Sequence, residues 1–158
     1  GGTRGAMDGP AAGAGVEVRA PLRSAAGDAG ALGGVSSVVV EDMEETREAM
    51  CVILERFGAR VLTARDGIEA LERVAGEAVD LILCDLRMPR MDGFEFLLEL
   101  QGVSGHTHPP VIAVSGLASS ADHLLTQAAG FAGHIDKPFD DGRLLAAVGV
   151  AMAHRATT

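Results

Sequence analysis

The sequence lacks any long apolar run. No hydrophobic stretch approaches the roughly 20 residues needed to cross a bilayer, and the first residues lack the charged start and apolar core of a secretory signal. Basic clusters are also missing and the net charge is −9, which argues against a nucleic-acid-binding surface. The two cysteines, Cys51 and Cys84, lie in apolar segments without disulfide or metal-site spacing. We therefore expect a cytoplasmic protein with buried reduced thiols, no membrane insertion and no directly bound nucleic acid.

Lysine is almost absent as well. The 13 basic residues include a single lysine, Lys137, and the rest are arginines. In a chain that otherwise takes its positive charge from arginine, this residue points to a task that guanidinium performs poorly. A compact ammonium on a flexible stem can follow a phosphoryl oxygen or a carboxylate into a narrow pocket.

Residues 1–35 differ in composition from the rest of the chain. They are dominated by glycine and alanine and show no apolar period, so they predict a flexible tail or linker. The remaining segment, 36–155, predicts a single folded domain. Its length is enough for one domain with a proper core.

From Ser36 onward, strand and helix patterns alternate. Short apolar runs predict five strands, at 36–40, 60–64, 79–84, 110–115 and 133–135. Each run is followed by an apolar stripe at helical spacing, which includes Phe94, Leu97 and Leu98 in the third helix and Leu124, Leu125 and Ala128 in the fourth. Asp66 and Asp92 are predicted to cap the second and third helices. Five such β-α units imply a parallel sheet covered on both faces.

Polar residues follow the predicted strands where such sheets bind ligands, at the carboxyl ends near the topological switch point. They are Glu41, Asp42, Asp85, Ser115 and Lys137. Clustered carboxylates repel one another and need a compensating cation or raised pKa values. An oxygen-only ligand set with open positions suits Mg²⁺, and three carboxylates would balance one Mg²⁺ and one lysine.

Residues 36–153 resemble the receiver domain of bacterial two-component response regulators. The matching motifs are VVVED (38–42), DLRMPRMDG (85–93), VIAVSG (111–116) and GFAGHIDKPF (130–139). The resemblance implies a doubly wound, flavodoxin-like (βα)5 fold with strand order 2-1-3-4-5. It also implies a phosphoacceptor that assists its own phosphorylation and dephosphorylation but is not a turnover enzyme.

Residue roles follow from the same resemblance. Asp85 would accept the phosphoryl group. Mg²⁺ would be held by Asp42, Asp85 and the backbone carbonyl of Arg87, and Mn²⁺ would be able to replace it. Glu41 would act on the metal through a coordinated water.

At the fourth and fifth strands, Ser115 would hydrogen-bond the phosphoryl group and act in switching, and Lys137 would pair with the group. The Lys137–Pro138 peptide would be cis. The phosphodonor would be a histidine kinase or a histidine phosphotransfer protein, and the switch would change the face formed by the fourth and fifth strands and the helices that follow them. The resemblance also allows a phosphorylation-dependent homodimer.

Two residues depart from the usual receiver pattern. The acidic pair is Glu41-Asp42 where Asp-Asp is commoner, and His134 stands where many receivers carry Tyr or Phe as a rotameric switch. The segment around His134 is more like the receivers fused to hybrid histidine kinases. A C-terminal receiver of a hybrid kinase is therefore one interpretation, and a stand-alone regulator is the other.

Simpler roles compete with these. Asp42 has capping-box spacing with Glu45 and is a candidate cap of the first helix. Asp85 alone is also compatible with a turn. His106 and His108 have the spacing of a metal-binding pair, but they lie in a polar loop without a third ligand.

Other functional classes remain open. An aspartate-nucleophile phosphohydrolase is one, although such enzymes need a second acid two residues after the nucleophile, where this chain has Arg87. A nucleotide- or flavin-binding module is another, although the EDMEE segment (41–45) would repel phosphate. A receiver that has lost phosphorylation and serves as a docking surface is the last.

Overall fold

The computed structural model describes residues 18–19, 30–104, 107–116 and 120–157. Five parallel strands form the centre: β1 (Ser36–Val40), β2 (Arg60–Ala64), β3 (Leu81–Asp85), β4 (Val111–Ser115) and β5 (Gly133–Asp136). Five helices follow them: α1 (Glu44–Arg56), α2 (Gly67–Gly76), α3 (Gly93–Ser104), α4 (Ser120–Ala129) and α5 (Asp141–Thr157). The parallel strands lie in the order β2-β1-β3-β4-β5, which confirms the predicted flavodoxin-like (βα)5 fold.

Two apolar layers cover the faces of the sheet. Because successive strand residues point to opposite faces, Val39 belongs to the layer with α1 and α5, whereas Val38 belongs to the layer with α2 and α3. The same alternation separates Leu83 from Ile82 in β3, and both side chains are fully buried. Burying a side chain of this size stabilises the fold by about 1.5–3 kcal/mol. The central strands are therefore held rigidly from both sides.

Side-chain caps begin three of the described helices; one of them is Asp140, which accepts the Arg143 N–H (2.8 Å) at the start of α5. The Asp66 carboxylate accepts a hydrogen bond from the Glu69 N–H (2.9 Å) at the start of α2. At the start of α3, Asp92 accepts from the Glu95 N–H (2.8 Å), and the Glu95 side chain accepts from the Asp92 N–H (2.9 Å). This reciprocal capping box satisfies two backbone donors that the helix leaves free. Both predicted caps are confirmed.

The first helix has no such cap. Its N-cap residue is Met43, which makes no side-chain capping bond, so the interpretation of Asp42 as the cap of this helix is wrong. The helix ends at Arg56, and Gly58 shortly after it has a positive φ of 99°, which favours glycine. The Asp42 carboxylate is therefore not engaged in capping α1.

Two predicted apolar stripes differ from the structure. In α3, Leu97 is buried but Leu98 is 68% exposed, since neighbouring helical residues point about 100° apart. In α4, both Leu124 and Leu125 are more than half exposed, and Thr126 faces inward instead. No described helix is long and apolar enough to cross a membrane.

The folded structure begins before Ser36. The two-residue strand Val18–Arg19 pairs antiparallel with β2, opposite Leu62 and Val61. Leu32 is buried, and its N–H donates to the carbonyl oxygen of Phe57 (2.8 Å). At these positions the structure differs from the predicted flexible tail, because Val18–Arg19 supplies backbone partners to the edge of β2 and Leu32 packs in the apolar layer with α1. Residues 1–17 and 20–29 of the predicted tail lie outside the described residues.

Candidate functional site

The carboxyl ends of four parallel strands supply the candidate site. Glu41 and Asp42 follow β1, Asp85 ends β3, Ser115 ends β4 and Lys137 follows β5. The register aligns these ends, since Asp85 pairs with Val114 and Ser115 pairs with Asp136. The chain leaves β1 toward the face with α1 and leaves β3 toward the opposite face with α3, so the cluster at the ends of these two adjacent strands lies at the topological switch point.

Three carboxylates meet at this edge. Oxygen atoms of Glu41, Asp42 and Asp85 lie within 4.8 Å of one another. Glu41 is fully buried and Asp85 is 6% exposed, whereas Asp42 faces solvent. Partial desolvation and a side-chain hydrogen bond with Glu41 raise the pKa of Asp42 above its usual value. The cluster therefore carries more negative charge than its own surroundings compensate.

Lys137 provides the positive charge next to the buried acids. Its Nζ lies 2.8 Å from Glu41 Oε1 and 3.7 Å from Asp85 Oδ2. The Lys137 N–H donates to the carbonyl oxygen of Ser115 (2.7 Å), and the Lys137–Pro138 peptide bond is cis. One ammonium faces three carboxylates, so the site has a formal charge of −2.

Glu41 is also fixed from the α1 side. Its Oε2 accepts the Met43 N–H (3.2 Å), and its backbone carbonyl accepts Nη1 of Arg47 (3.0 Å). Arg47 was not among the residues predicted for this site. Its helical spacing from the acidic pair is the only sequence feature that could have indicated this contact, and the same spacing is common in solvated helices.

The loop after β3 orients Asp85. The Arg87 N–H donates to Asp85 Oδ1 (3.2 Å), and Oδ2 is the oxygen that faces Lys137. The Arg87 side chain is exposed, whereas Arg90 forms an ion pair with Asp66 across the neighbouring loop. Arg90 has a positive φ of 68° in this turn. The Arg90 guanidinium is therefore engaged in a structural contact with Asp66.

The donor set fits a hard divalent cation. All candidate ligands are oxygen atoms, the cluster carries excess negative charge, and the exposed side of Asp42 leaves room for water. Mg²⁺ prefers carboxylate and carbonyl oxygens and keeps several waters of its own. Glu41, Asp42 and Asp85 thus meet the chemical requirements of a magnesium site.

Gly93 permits the close approach of α3 to this loop. A Cβ at this position would lie 2.7 Å from the Asp85 carbonyl oxygen and 3.0 Å from the Leu86 Cα, both of which are backbone atoms. We expect Gly93→Ala to destabilise the fold by about 1–3 kcal/mol, because rigid backbone must shift. Urea unfolding measures the change, and Gly102→Ala in the same helix, where a Cβ meets nothing within 4 Å, is the control. Equal stability of Gly93→Ala and the parent would contradict this prediction.

His134 lies on β5 beside the site. Its side chain is 6% exposed, and its Nδ1 lies 2.9 Å from Thr126 Oγ1 on α4. The residue is thus buried between the last strand and α4.

Comparisons with known proteins agree on one family. The sequence model of the response regulator receiver domain matches residues 38–149. Protein PilG of Pseudomonas aeruginosa is 30% identical over 115 residues, which is 73% of this chain and 85% of PilG. Chemotaxis protein CheY4 of Vibrio cholerae superimposes with a TM-score of 0.69 at 29% identity, covering 74% of this chain and 98% of that chain. The signal receiver domain of a histidine kinase from Syntrophus aciditrophicus also gives 0.69 at 29% identity, covering 79% and 95%.

Several relatives are longer than the matched region. The chain spans 27%, 51% and 53% of three further curated relatives, all named as transcriptional regulatory proteins. The similarity to these three therefore concerns one part of each protein.

Proposed function

The chain belongs to the family of response regulator receiver domains, and on that premise we propose that Asp85 accepts a phosphoryl group from a histidine kinase or a histidine phosphotransfer protein. Receiver domains are signalling modules. The observation that carries the proposal is the pairing of Lys137 Nζ with both Glu41 and Asp85 at the end of β3. It places a compact cation beside both buried carboxylates, whose oxygens also lie within 4.8 Å of an oxygen of the exposed Asp42.

The transfer requires little covalent chemistry from the protein. An oxygen of the Asp85 carboxylate attacks phosphorus, the bond from phosphorus to the donor imidazole breaks, and an acyl phosphate forms on Asp85. Positioning and charge neutralisation are the main contributions that such a transfer needs. The Arg87 N–H holds one Asp85 oxygen in place, which limits rotation of the carboxylate.

A magnesium ion would complete the site. We assign its ligands to Asp42, Asp85 and the backbone carbonyl of Arg87, with Glu41 acting through a water. The ion supplies charge neutralisation for phosphoryl oxygens, and Mn²⁺ can replace it because both are hard cations with oxygen ligands.

Ser115 and Lys137 would report phosphorylation to the rest of the domain. The Ser115 hydroxyl donates to a phosphoryl oxygen, and the Lys137 ammonium pairs with the phosphoryl group. Their backbones are already joined by the 2.7 Å hydrogen bond between the Lys137 N–H and the Ser115 carbonyl oxygen. A shift at either residue therefore biases β4, α4, β5 and α5, including His134, between two arrangements.

We also propose that this chain works as a module beside other domains. Its matches to parts of longer relatives and its likeness to the receiver domain of a Syntrophus histidine kinase favour this arrangement. The C-terminal receiver of a hybrid kinase is the arrangement that we favour.

Incubation with acetyl phosphate tests the proposal. We expect intact-mass spectrometry to detect one added phosphoryl group per chain with Mg²⁺, and none when a chelator replaces the metal, because the acid cluster would then stay uncompensated. Absence of labelling with Mg²⁺ would favour a docking module without phosphorylation. Turnover of phosphomonoesters far beyond one equivalent would instead favour a phosphohydrolase.

A further inference from the structure

A second cluster of ligand-type side chains lies where α4 packs on β5. It consists of His123 on α4 with His134 and Asp136 on β5, and one ligand atom from each lies within 4.8 Å of the others. The Nε2 atoms of His123 and His134 lie 2.9 and 3.6 Å from the same Asp136 oxygen, Oδ1. The two imidazole rings are stacked, with centroids 3.9 Å apart and planes 7° apart.

Thr126 determines which nitrogen of His134 carries the proton. The Thr126 hydroxyl donates to the carbonyl oxygen of His123 (3.0 Å) and also lies 2.9 Å from His134 Nδ1. A hydroxyl has one proton, so Thr126 accepts a hydrogen bond from the Nδ1–H of His134. In the neutral imidazole, Nε2 is then left with its lone pair.

Among the described residues that lone pair has no hydrogen-bond partner, although His134 Nε2 is buried and the His134 side chain is only 6% exposed. Asp136 Oδ1, which is also an acceptor, lies 3.6 Å from Nε2, so two acceptors face each other. Burial lowers the pKa of His134, which favours the neutral ring. A bound cation would satisfy both acceptors at once.

We propose that His123, His134 and Asp136 bind a zinc-class divalent transition-metal ion. Two imidazole nitrogens and one carboxylate oxygen form a donor set that suits Zn²⁺ and differs from the all-oxygen set that suits Mg²⁺. Thr126 acts as the outer partner that orients a metal-binding histidine and fixes its tautomer. A cleft of about 470 Å³ is lined by both histidines and by Thr126, and water from this cleft could supply a fourth ligand.

Coordination requires the rings to leave their parallel stacking. A nitrogen lone pair lies in the plane of its ring, and zinc–nitrogen bonds are about 2.0–2.1 Å long. His134 is held by Thr126, whereas the His123 side chain is 42% exposed and can turn on the surface of α4. His123 also exchanges its Nε2 contact with Asp136 for the metal. The ion would then link α4 to β5.

Calorimetric titration of the full chain with Zn²⁺ tests the proposal. Saturating Mg²⁺ in the buffer fills the carboxylate cluster at Asp85, so that the added Zn²⁺ binds at the site that contains the two histidines. We expect His123→Ala and Asp136→Asn each to weaken zinc binding by at least about 10-fold. The double variant His106→Ala/His108→Ala removes the other closely spaced histidine pair of the sequence, and we expect it to bind zinc like the parent.

A second measurement locates the metal directly. Imidazole ¹⁵N spectra of the parent should show zinc-induced shifts at Nε2 of His123 and His134, with the Nδ1 proton of His134 retained. Thermal unfolding without zinc shows whether each variant is folded. The proposal fails if the parent binds no zinc, if His123→Ala binds it undiminished, or if the loop double variant loses binding as strongly as His123→Ala.

Discussion

Asp85→Asn will abolish labelling of the protein by acetyl phosphate and Mg²⁺. An amide nitrogen or oxygen is a far poorer nucleophile than a carboxylate, and the substitution also removes one proposed metal ligand. The residue is almost isosteric and keeps an oxygen that can accept the Arg87 N–H, so the fold should persist. Intact-mass spectrometry after incubation with the phosphodonor measures the loss.

Asp92→Asn is the matched control for this experiment. Asp92 belongs to the same DLRMPRMDG segment, but its carboxylate caps α3 by accepting the Glu95 N–H. Asparagine is also a good capping residue, so we expect full labelling and little loss of stability. Undiminished labelling of Asp85→Asn, or loss of labelling in Asp92→Asn alone, would show that the phosphoacceptor is a different residue.

Lys137→Met will have two large effects. Methionine keeps much of the side-chain volume but removes the ammonium that lies 2.8 Å from the fully buried Glu41. Without Mg²⁺, we expect the free energy of unfolding to fall by about 3 kcal/mol, because a buried carboxylate loses its partner. With Mg²⁺, labelling by acetyl phosphate should slow by about 100-fold, because one charge-stabilising group is missing.

A double-mutant cycle with Glu41→Gln identifies the cause of the lost stability. If Lys137→Met destabilises the fold by leaving the Glu41 charge unpaired, then the loss should be much smaller in the Glu41→Gln background. Urea unfolding of the four proteins without Mg²⁺ measures this coupling. Additive losses would mean that Lys137 stabilises the domain through packing and not through its charge.

The strand runs were largely predictable because the sheet is buried on both faces. The predicted strands at 36–40 and 60–64 match β1 and β2 in the structure. The third strand was predicted from Val79, but it begins at Leu81. Asp80 joins the start of β1 instead: its N–H donates to the Ser36 carbonyl oxygen (2.7 Å), and its carboxylate accepts the Ser36 N–H (2.9 Å). Such a contact between distant residues leaves no local pattern in the sequence.

The convergence of the acidic residues was predictable for a similar reason. Parallel strands end at one edge, so residues that follow them meet, as Asp42, Asp85 and Lys137 do. The contact between His123 and His134 was not predictable, because it depends on the rotation of α4. That rotation turns Thr126 inward and exposes Leu124, contrary to the apolar pattern.

Asp136 and Lys137 are consecutive residues that belong to different candidate cation sites. A rearrangement of the peptide between them would move residues of both sites. The zinc affinity of one site and the phosphoryl affinity of the other should therefore be coupled. Thermodynamic linkage then makes the effect reciprocal: the factor by which zinc changes the affinity for a phosphoryl analogue at Asp85 equals the factor by which that analogue changes zinc affinity. A domain of this size would thereby combine two chemical inputs at a single peptide unit.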